Sequence, residues 1–249
     1  MMKNKNLVIA AVGDSSLHKQ WKSGNPAFDL ILIYYGNSDL IFFDYTKDAL
    51  ICIKQHGQKF PLIKSFIETN LELVSQYDYV WLPDDDISIS AGDLDRLFDT
   101  ARTYSLQICQ SALVSLHGDV SHAITKPERE NTLRFTNFVE VMMPLFDVNT
   151  LLFLRNDFDL SQSGWGLDAT WSHRLNSPKD KIAIIDDITA VHTKPVGSDY
   201  SRFKIKPETE LKHLLEKYNI AFIIKSYSSI LKNGGHKIPW YRKFFRFSS

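Results

Sequence analysis

The sequence predicts an α/β sandwich, with helices on both faces of a mostly parallel sheet. Three observations carry that prediction. Apolar runs of strand length recur, and several are continuous rather than alternating, as strands covered on both faces must be. Helical patterns fall between them, so strands and helices alternate. The composition, 44% hydrophobic and 23% charged over 249 residues, is that of a globular chain long enough for a sizeable core.

The strand candidates are LVIAAV (7–12), FDLILIYY (28–35), DYVWL (78–82), LQICQSAL (106–113), FVEVMM (138–143), KIAIIDD (181–187) and TAVH (189–192). FPLIKSFIETNLELVSQ places Leu62, Phe66, Ile67, Leu71 and Val74 on one helical stripe. Ser90 precedes AGDLDRLFDTARTYS, and Asp93 three residues later completes a capping box. Residues 117–137 are polar without a period and read as a long loop of the kind that carries function or motion. Pro207 sits in the first turn of a last helix, PETELKHLLEKYN. The chain thus divides into a main domain over 1–205 and a helical, basic and aromatic extension over 206–249.

The formal net charge is zero, which leaves no global field for nucleic acid. Cys52 and Cys109 are far apart and in apolar contexts, as buried free thiols of a reducing compartment would be. No stretch approaches the roughly 20 apolar residues of a membrane span. The apolar run at 7–12 is too short for a signal-peptide core, so a cytoplasmic protein is expected. From Lys217 onward there is no acidic residue. Lys225, Lys232, Lys237, Arg242, Lys243 and Arg246 alternate there with Tyr227, Trp240, Tyr241, Phe244, Phe245 and Phe247. That pattern suits peripheral contact with an anionic inner membrane face; a packed helix with a frayed tail is the plainer alternative.

Three stretches carry candidate chemistry. VWLPDDDISIS (80–90) ends a strand in Asp84, Asp85 and Asp86, at the strand end where open α/β sheets bind ligands. A hard divalent cation, Mg²⁺ or Mn²⁺, would offset the mutual repulsion and take diphosphate oxygens as well; a solvated acidic turn is the alternative. In NDFDLSQSGWGLDATWSH (156–173), Gly164 and Gly166 flank Trp165, an aromatic platform for a sugar ring, and Asp168 opens a helix as a fixed carboxylate base. The alternative there is a turn with Trp165 in the core and Asp168 as a cap. In IAIIDDITAVHTKPVG (182–197), His192 ends a strand as a metal ligand and Lys194 meets phosphate charge, although a lone His is more often structural.

The order of the three, strand–DDD, then GWGLD, then strand–His, resembles the GT-A glycosyltransferase core. With AVG (11–13), FDLILIYYG (28–36), GQKFPLIK (57–64), YDYVWLPDDDI (77–87), CQSAL (109–113), FVEVMMP (138–144), ND (156–157), GWGLD (164–168) and IDDITAVHTKPVG (185–197), it resembles domain-of-unknown-function family 707 over roughly residues 7 to 200. The family's acidic motif is Asp-Glu-Asp, which leaves Asp84 and Asp86 as the working pair. The resemblance implies a nucleotide-sugar site and a metal-dependent, inverting transfer to a glycan or lipid-linked acceptor. Asp84, Asp86 and His192 would hold Mn²⁺ or Mg²⁺. Gly13, Lys59, Lys64, Asp84, Asp85 and Lys194 would bind the donor, and Trp165 and Gly166 the acceptor. Asp168 would be the base, and Glu140 would bind the acceptor or act as base in its place. Two other readings stay open: a haloacid-dehalogenase-type phosphatase using Asp84 and Asp86 with IIDD (184–187) as its late acidic motif, and a non-catalytic carbohydrate-binding protein of GT-A-like fold.

Overall fold

The computed structural model describes residues 5–118, 120–195 and 205–238. Its strands are β1 (Asn6–Val12), β2 (Phe28–Tyr34), β3 (Ile51–Lys54), β4 (Tyr79–Trp81), β5 (Ile87–Ser88), β6 (Ile108–Ser115), β7 (Asn131–Thr136), β8 (Leu145–Asp147), β9 (Ile182–His192), β10 (Ser226–Leu231) and β11 (His236–Lys237). Its helices are α1 (His18–Trp21), α2 (Asp39–Tyr45), α3 (Lys59–Thr69), α4 (Leu71–Val74), α5 (Ala91–Thr103), α6 (Val148–Leu154), α7 (Leu167–Arg174) and α8 (Pro207–Tyr218). All strands join one sheet in the order β11-β10-β7-β9-β6-β8-β4-β1-β2-β3, with β5 paired to β9 off this path.

The continuous apolar runs are explained by two cores, one on each face. In β1, Val8, Ala10 and Val12 enter one cluster, and Leu7, Ile9 and Ala11 the other. Every residue of β1 is therefore buried, and its apolar run is unbroken from Leu7 to Val12. Each such aliphatic side chain contributes about 1.5–3 kcal/mol when fully buried. That is why β1, β2 and β4 are the clearest strands in the sequence.

Pairing is parallel through β3-β2-β1-β4 and again between β6 and β9. The short β8 is antiparallel to both β4 and β6, so those two strands point the same way. Among the described residues, β1, β2, β3, β4, β6, β9 and β10 run in one direction, and β5, β7, β8 and β11 in the other. The carboxyl ends of β1, β2, β4, β6 and β9 consequently share one edge. The chain leaves β1 for β2 on one side and returns with β4 on the other, so a topological switch point lies between β1 and β4, where open α/β sheets form their ligand crevice.

Several expectations are corrected. FVEVMM (138–143) is not a strand but a buried irregular segment. Its backbone groups are bound by neighbours rather than by a ladder: Glu140 N–H donates to the Gln110 side chain, and the carbonyls of Val141 and Met142 accept from Lys59. The polar stretch 117–137 contains β7, whose Arg134 is buried against Asp186 and so hides the strand's pattern. Residues 181–187 and 189–192 form one strand, with a bulge where the partner of β6 shifts from Ile185 to Thr189. The helix expected over 60–76 breaks at Asn70, which leaves Leu71 exposed and off the buried stripe. After α8 the chain adds the β10–β11 hairpin to the same sheet, so residues 206–238 are not a purely helical extension.

Other expectations match the structure. Ser90 accepts from Asp93 N–H at the start of α5 and donates to its carboxylate. Pro207 stands in the first turn of α8. Among the described residues no helix is long and apolar enough to cross a membrane. Trp240, Tyr241, Arg242, Lys243, Phe244, Phe245, Arg246 and Phe247 lie outside the described residues, as do Val196 and Gly197.

Candidate active site

The crevice at the switch point is built from strand ends. β1 delivers Gly13, β2 delivers Tyr35, β4 runs through Leu82 and Pro83 into the acidic triplet, and β9 ends on His192. Each Asp of the triplet has its own partner. Lys59, the first residue of α3, donates to Asp84 at 2.7 Å and to the carbonyls of Val141 and Met142 at 2.8 and 2.9 Å. All three ammonium protons are thereby engaged, so Lys59 fixes Asp84 and the 141–142 segment instead of facing a diphosphate. Burial pushes Lys59 down and Asp84 up, against their mutual attraction.

Asp85 is the anchor. One carboxylate oxygen accepts from Gly13 N–H at 2.8 Å and Tyr35 O–H at 2.9 Å; the other accepts from Lys194 at 3.0 Å. A Cβ on Gly13 would stand 3.1 Å from the Tyr35 ring, so the glycine lets these two strand ends close on one carboxylate. Asp85 therefore ties β1, β2 and the end of β9 together, and its place among the donor-binding candidates is that of a scaffold. Lys194 also lies 4.0 Å from Asp86 and keeps 39% of its side chain in solvent.

Asp86 and His192 meet because of register. β5 follows the triplet at once and pairs Ile87 with His192, which sets Asp86 Oδ2 3.3 Å from His192 Nε2. Burial works to raise Asp86, but the His192 hydrogen bond and the charges of His192 and Lys194 win and hold its carboxyl below the usual range. Burial likewise lowers His192, and Asp86 more than reverses this. Asp86 Oδ1 and His192 Nδ1 are buried without hydrogen-bond partners.

No group of three or more His, Cys, Asp or Glu side chains is arranged to hold a metal among the described residues. Asp84 is not part of such a group; Lys59 holds it. The Asp86–His192 pair, with its orphaned carboxylate oxygen, still fits a hard divalent cation that takes only one or two protein ligands and completes its shell from substrate phosphates and water.

Glu140 and Asp168 form the other half of the crevice. Asp168 lies at the N-terminus of α7, where it accepts from Ala169 N–H at 2.9 Å and from the backbone of Val141 and Gly166. Burial nevertheless pushes its carboxyl up to about 7. Glu140 precedes Val141 and is pushed up to about 7 by burial and then by the Asp168 charge, with Ser121 working the other way. Glu140 Oε2 is a third orphaned atom. Gly164 and Gly166 both have positive φ, which only glycine adopts freely, and Trp165 between them is half-buried rather than in the core.

Two candidates fall away from this cluster. Lys64 pairs with Asp159 and Glu68, not with the triplet. Asp186, which the phosphatase reading needs, is held bidentately by Arg134 in the β7–β9 ladder. A groove of about 710 Å³ lies at the opposite, amino-terminal ends of β4 and β6, lined by Asp78, Arg102, Asp147 and Lys181 among others, and holds none of the candidate residues.

Two residues escape the sequence reading: Tyr35, which donates to Asp85, and Glu210. Glu210 on α8 is buried and accepts from Ser161 O–H, Gln162 N–H, Ser163 N–H and Ser163 O–H, the residues that lead into Gly164. It sits four residues before the buried Leu214 and three after the buried Pro207, and that shared stripe is the one sequence signal for an inward-facing carboxylate.

A family model described as "Protein of unknown function (DUF707)" matches residues 2–137. That span includes the acidic triplet and stops before Glu140, GWGLD and His192. No curated protein matches. Among solved structures, the chain is similar to S. aureus TarS 1–349 in complex with UDP-GlcNAc, with 14% identity and a TM-score of 0.57 over 86% of this chain and 65% of that one. It is also similar to TarS 1–349 in complex with UDP, at 10% identity and a TM-score of 0.53 over 86% of this chain and 71% of that one. Against a longer TarS chain it spans 43% of the length, at 9% identity and a TM-score of 0.54. At these identities the likeness is one of fold, and the fold is GT-A-like.

Proposed function

Because the chain belongs to the DUF707 family, for which no chemistry is assigned, the reading must come from its own site, and we propose that it is a nucleotide-sugar-dependent glycosyltransferase of GT-A-like fold. The observation that carries this is the division of the crevice. An ionised carboxylate with an imidazole (Asp86, His192) stands at the strand ends where a diphosphate would lie, and a carboxyl that burial pushes up to about 7 despite its backbone hydrogen bonds (Asp168) stands beside Glu140, which also feels the charges of Asp84 and His192. The fold shared with TarS, whose structures hold UDP-GlcNAc and UDP, supports a nucleotide-sugar donor.

In this reading Lys194 meets the donor diphosphate, and Asp86 and His192 would hold Mg²⁺ or Mn²⁺. When bound, the ion supplies charge stabilisation for the leaving diphosphate. Gly13, through Asp85, fixes the crevice wall. Trp165 offers an aromatic face to the acceptor sugar, and Gly166 allows the backbone to turn there. The acceptor hydroxyl, which belongs to a glycan or lipid-linked glycan, bonds to the anomeric carbon as the bond to diphosphate breaks. Asp168 takes its proton. A base is needed because a sugar hydroxyl is far too weak an acid to ionise first, and a carboxylate near pH 7 combines the deprotonated form with useful proton affinity. Attack from the face opposite the diphosphate gives inversion.

A thermal-shift panel of UDP-, GDP-, CMP- and dTDP-linked sugars, each with and without Mn²⁺, tests the reading. Ligand at 100 times its Kd adds about 2.7 kcal/mol to native stability. One nucleotide class should raise the melting temperature, more so with Mn²⁺, and be hydrolysed or transferred. A flat panel with no turnover sinks the proposal.

A further inference from the structure

We infer that Glu210 is a positioning residue for the transfer site, one that fixes the segment carrying Trp165 and delivering Asp168. This inference rests on the glycosyltransferase reading and adds to it a residue from α8, beyond the span of the family match.

The Glu210 carboxylate is 4% exposed and accepts four hydrogen bonds, all from residues 161–163. An ionised carboxylate only accepts, so it satisfies four donors that no neutral side chain of its size could satisfy together. Two residues later the chain reaches Trp165, and five residues later Asp168. Both glycines that flank Trp165 are closely covered. A Cβ on Gly164 would stand 2.9 Å from Phe60, the neighbour in sequence of Lys59, which holds Asp84. A Cβ on Gly166 would stand 2.9 Å from the Leu211 backbone, next to Glu210 itself. Gly166 in turn gives its N–H to Asp168. The loop is thus packed on α3 at Gly164 and on α8 at Gly166, and Glu210 holds its leading residues to α8. A carboxylate whose only task was to dock α8 would need partners anywhere along 155–175, yet all four lie in the three residues that precede the Gly-Trp-Gly turn.

The test uses the full chain. In Glu210→Gln, the amide NH₂ must face at least one of the former donors. Amide exchange at Gln162 and Ser163 should quicken. kcat for transfer should fall about 10- to 100-fold, as for a small misplacement of reacting groups, and donor KM should stay within about twofold on the same ground, since the donor half of the crevice is untouched. Ser161→Ala, which removes one hydroxyl donor to Glu210 and leaves the Ser163 Oγ contact with Trp165 N–H in place, is the milder variant should Glu210→Gln fold poorly. The double variant should cost no more than the worse single one, because both act through one contact. Faster exchange with unchanged kcat and KM would mean that Glu210 is structural only and would overturn the inference, as would unchanged exchange. A wild-type chain that turns over no nucleotide sugar overturns the glycosyltransferase reading and this inference with it. An active wild type with an indifferent Glu210→Gln overturns the inference alone.

Discussion

Two groups of carboxylates face each other across the crevice, and they are treated in opposite ways. Asp84, Asp85 and Asp86 are each met by a cation or imidazole: Lys59, Lys194 and His192. Glu140 and Asp168 form no ion pair among the described residues and accept only from backbone N–H groups and the Ser121 hydroxyl. In the first group each carboxylate has a basic partner, although burial still pushes Asp84 up. The second stores a cost: two carboxyls kept where ionisation is resisted until pH is near 7. Stored cost of that kind is common where a group must change protonation during a reaction. The difference separates holding a ligand from moving a proton, and each half can be broken independently.

The largest effect is expected at Asp168. Asp168→Asn keeps size and the acceptor oxygen for Ala169 N–H but cannot take a proton. If the second group moves the proton, kcat should drop about 10²- to 10⁴-fold, the usual worth of a general base, while nucleotide-sugar affinity by thermal shift stays close to that of the wild type. The wild-type kcat should also fall as pH drops below about 7, where Asp168 is protonated. Equal loss of affinity and rate would erase the proposed division.

The second test addresses the first group. Lys59→Met removes the partner of Asp84 and two donors to the 141–142 carbonyls. Breaking a fully buried pair costs about 3–5 kcal/mol; here about 2–3 kcal/mol is expected from the same principle, because Asp84 keeps 39% of its side chain in solvent. Urea unfolding gives that number. Lys59→Met with Asp84→Leu should recover part of the loss, since a charge without a partner costs more than a missing pair. Recovery to wild-type donor affinity in the double variant would show that Asp84 has no role in binding.

The first group is far easier to read from the sequence than the second. Asp84 to Asp86 follow a strand whose apolar run is unmistakable, and His192 ends another, so strand direction alone puts them on one edge. Asp168 is legible through its glycines and helix start. Glu140 is legible only through family resemblance, and its segment reads as a strand that the fold does not form. Every residue from Phe138 to Met143 except Val141 is buried, so the segment has the composition of a strand, while its backbone is satisfied by Gln110 and Lys59, contacts that no local pattern encodes. Glu210 looks like an ordinary first-turn acidic residue on an amphipathic helix. Lys59 and Lys64 cannot be told apart by sequence, because both follow the same glycine in a helix; five residues of helix turn one toward Asp84 and the other toward Asp159.

The comparison is sharpest in the sign of a pH effect on stability. Glu140 has its folded value raised from 4.5 to about 7. Between those values the folded state binds more protons than the unfolded chain, so stability falls as pH rises through this window, and the penalty is complete above it. Glu140→Gln removes that penalty. Its unfolding free energy should therefore be flatter between pH 4.5 and about 8 than that of the wild type. At about pH 8 it should be higher by at most about 3.4 kcal/mol, because each tenfold change in proton affinity corresponds to about 1.36 kcal/mol and the rise spans about two and a half such factors. Asp86→Asn should do the opposite at the same pH and destabilise, because it removes an ionised partner from His192 and Lys194. Urea titrations of the three proteins at several pH values decide the matter. If both variants shift stability in the same direction, the two groups are not differently compensated, and the assignment of proton transfer to the Glu140–Asp168 side loses its physical basis.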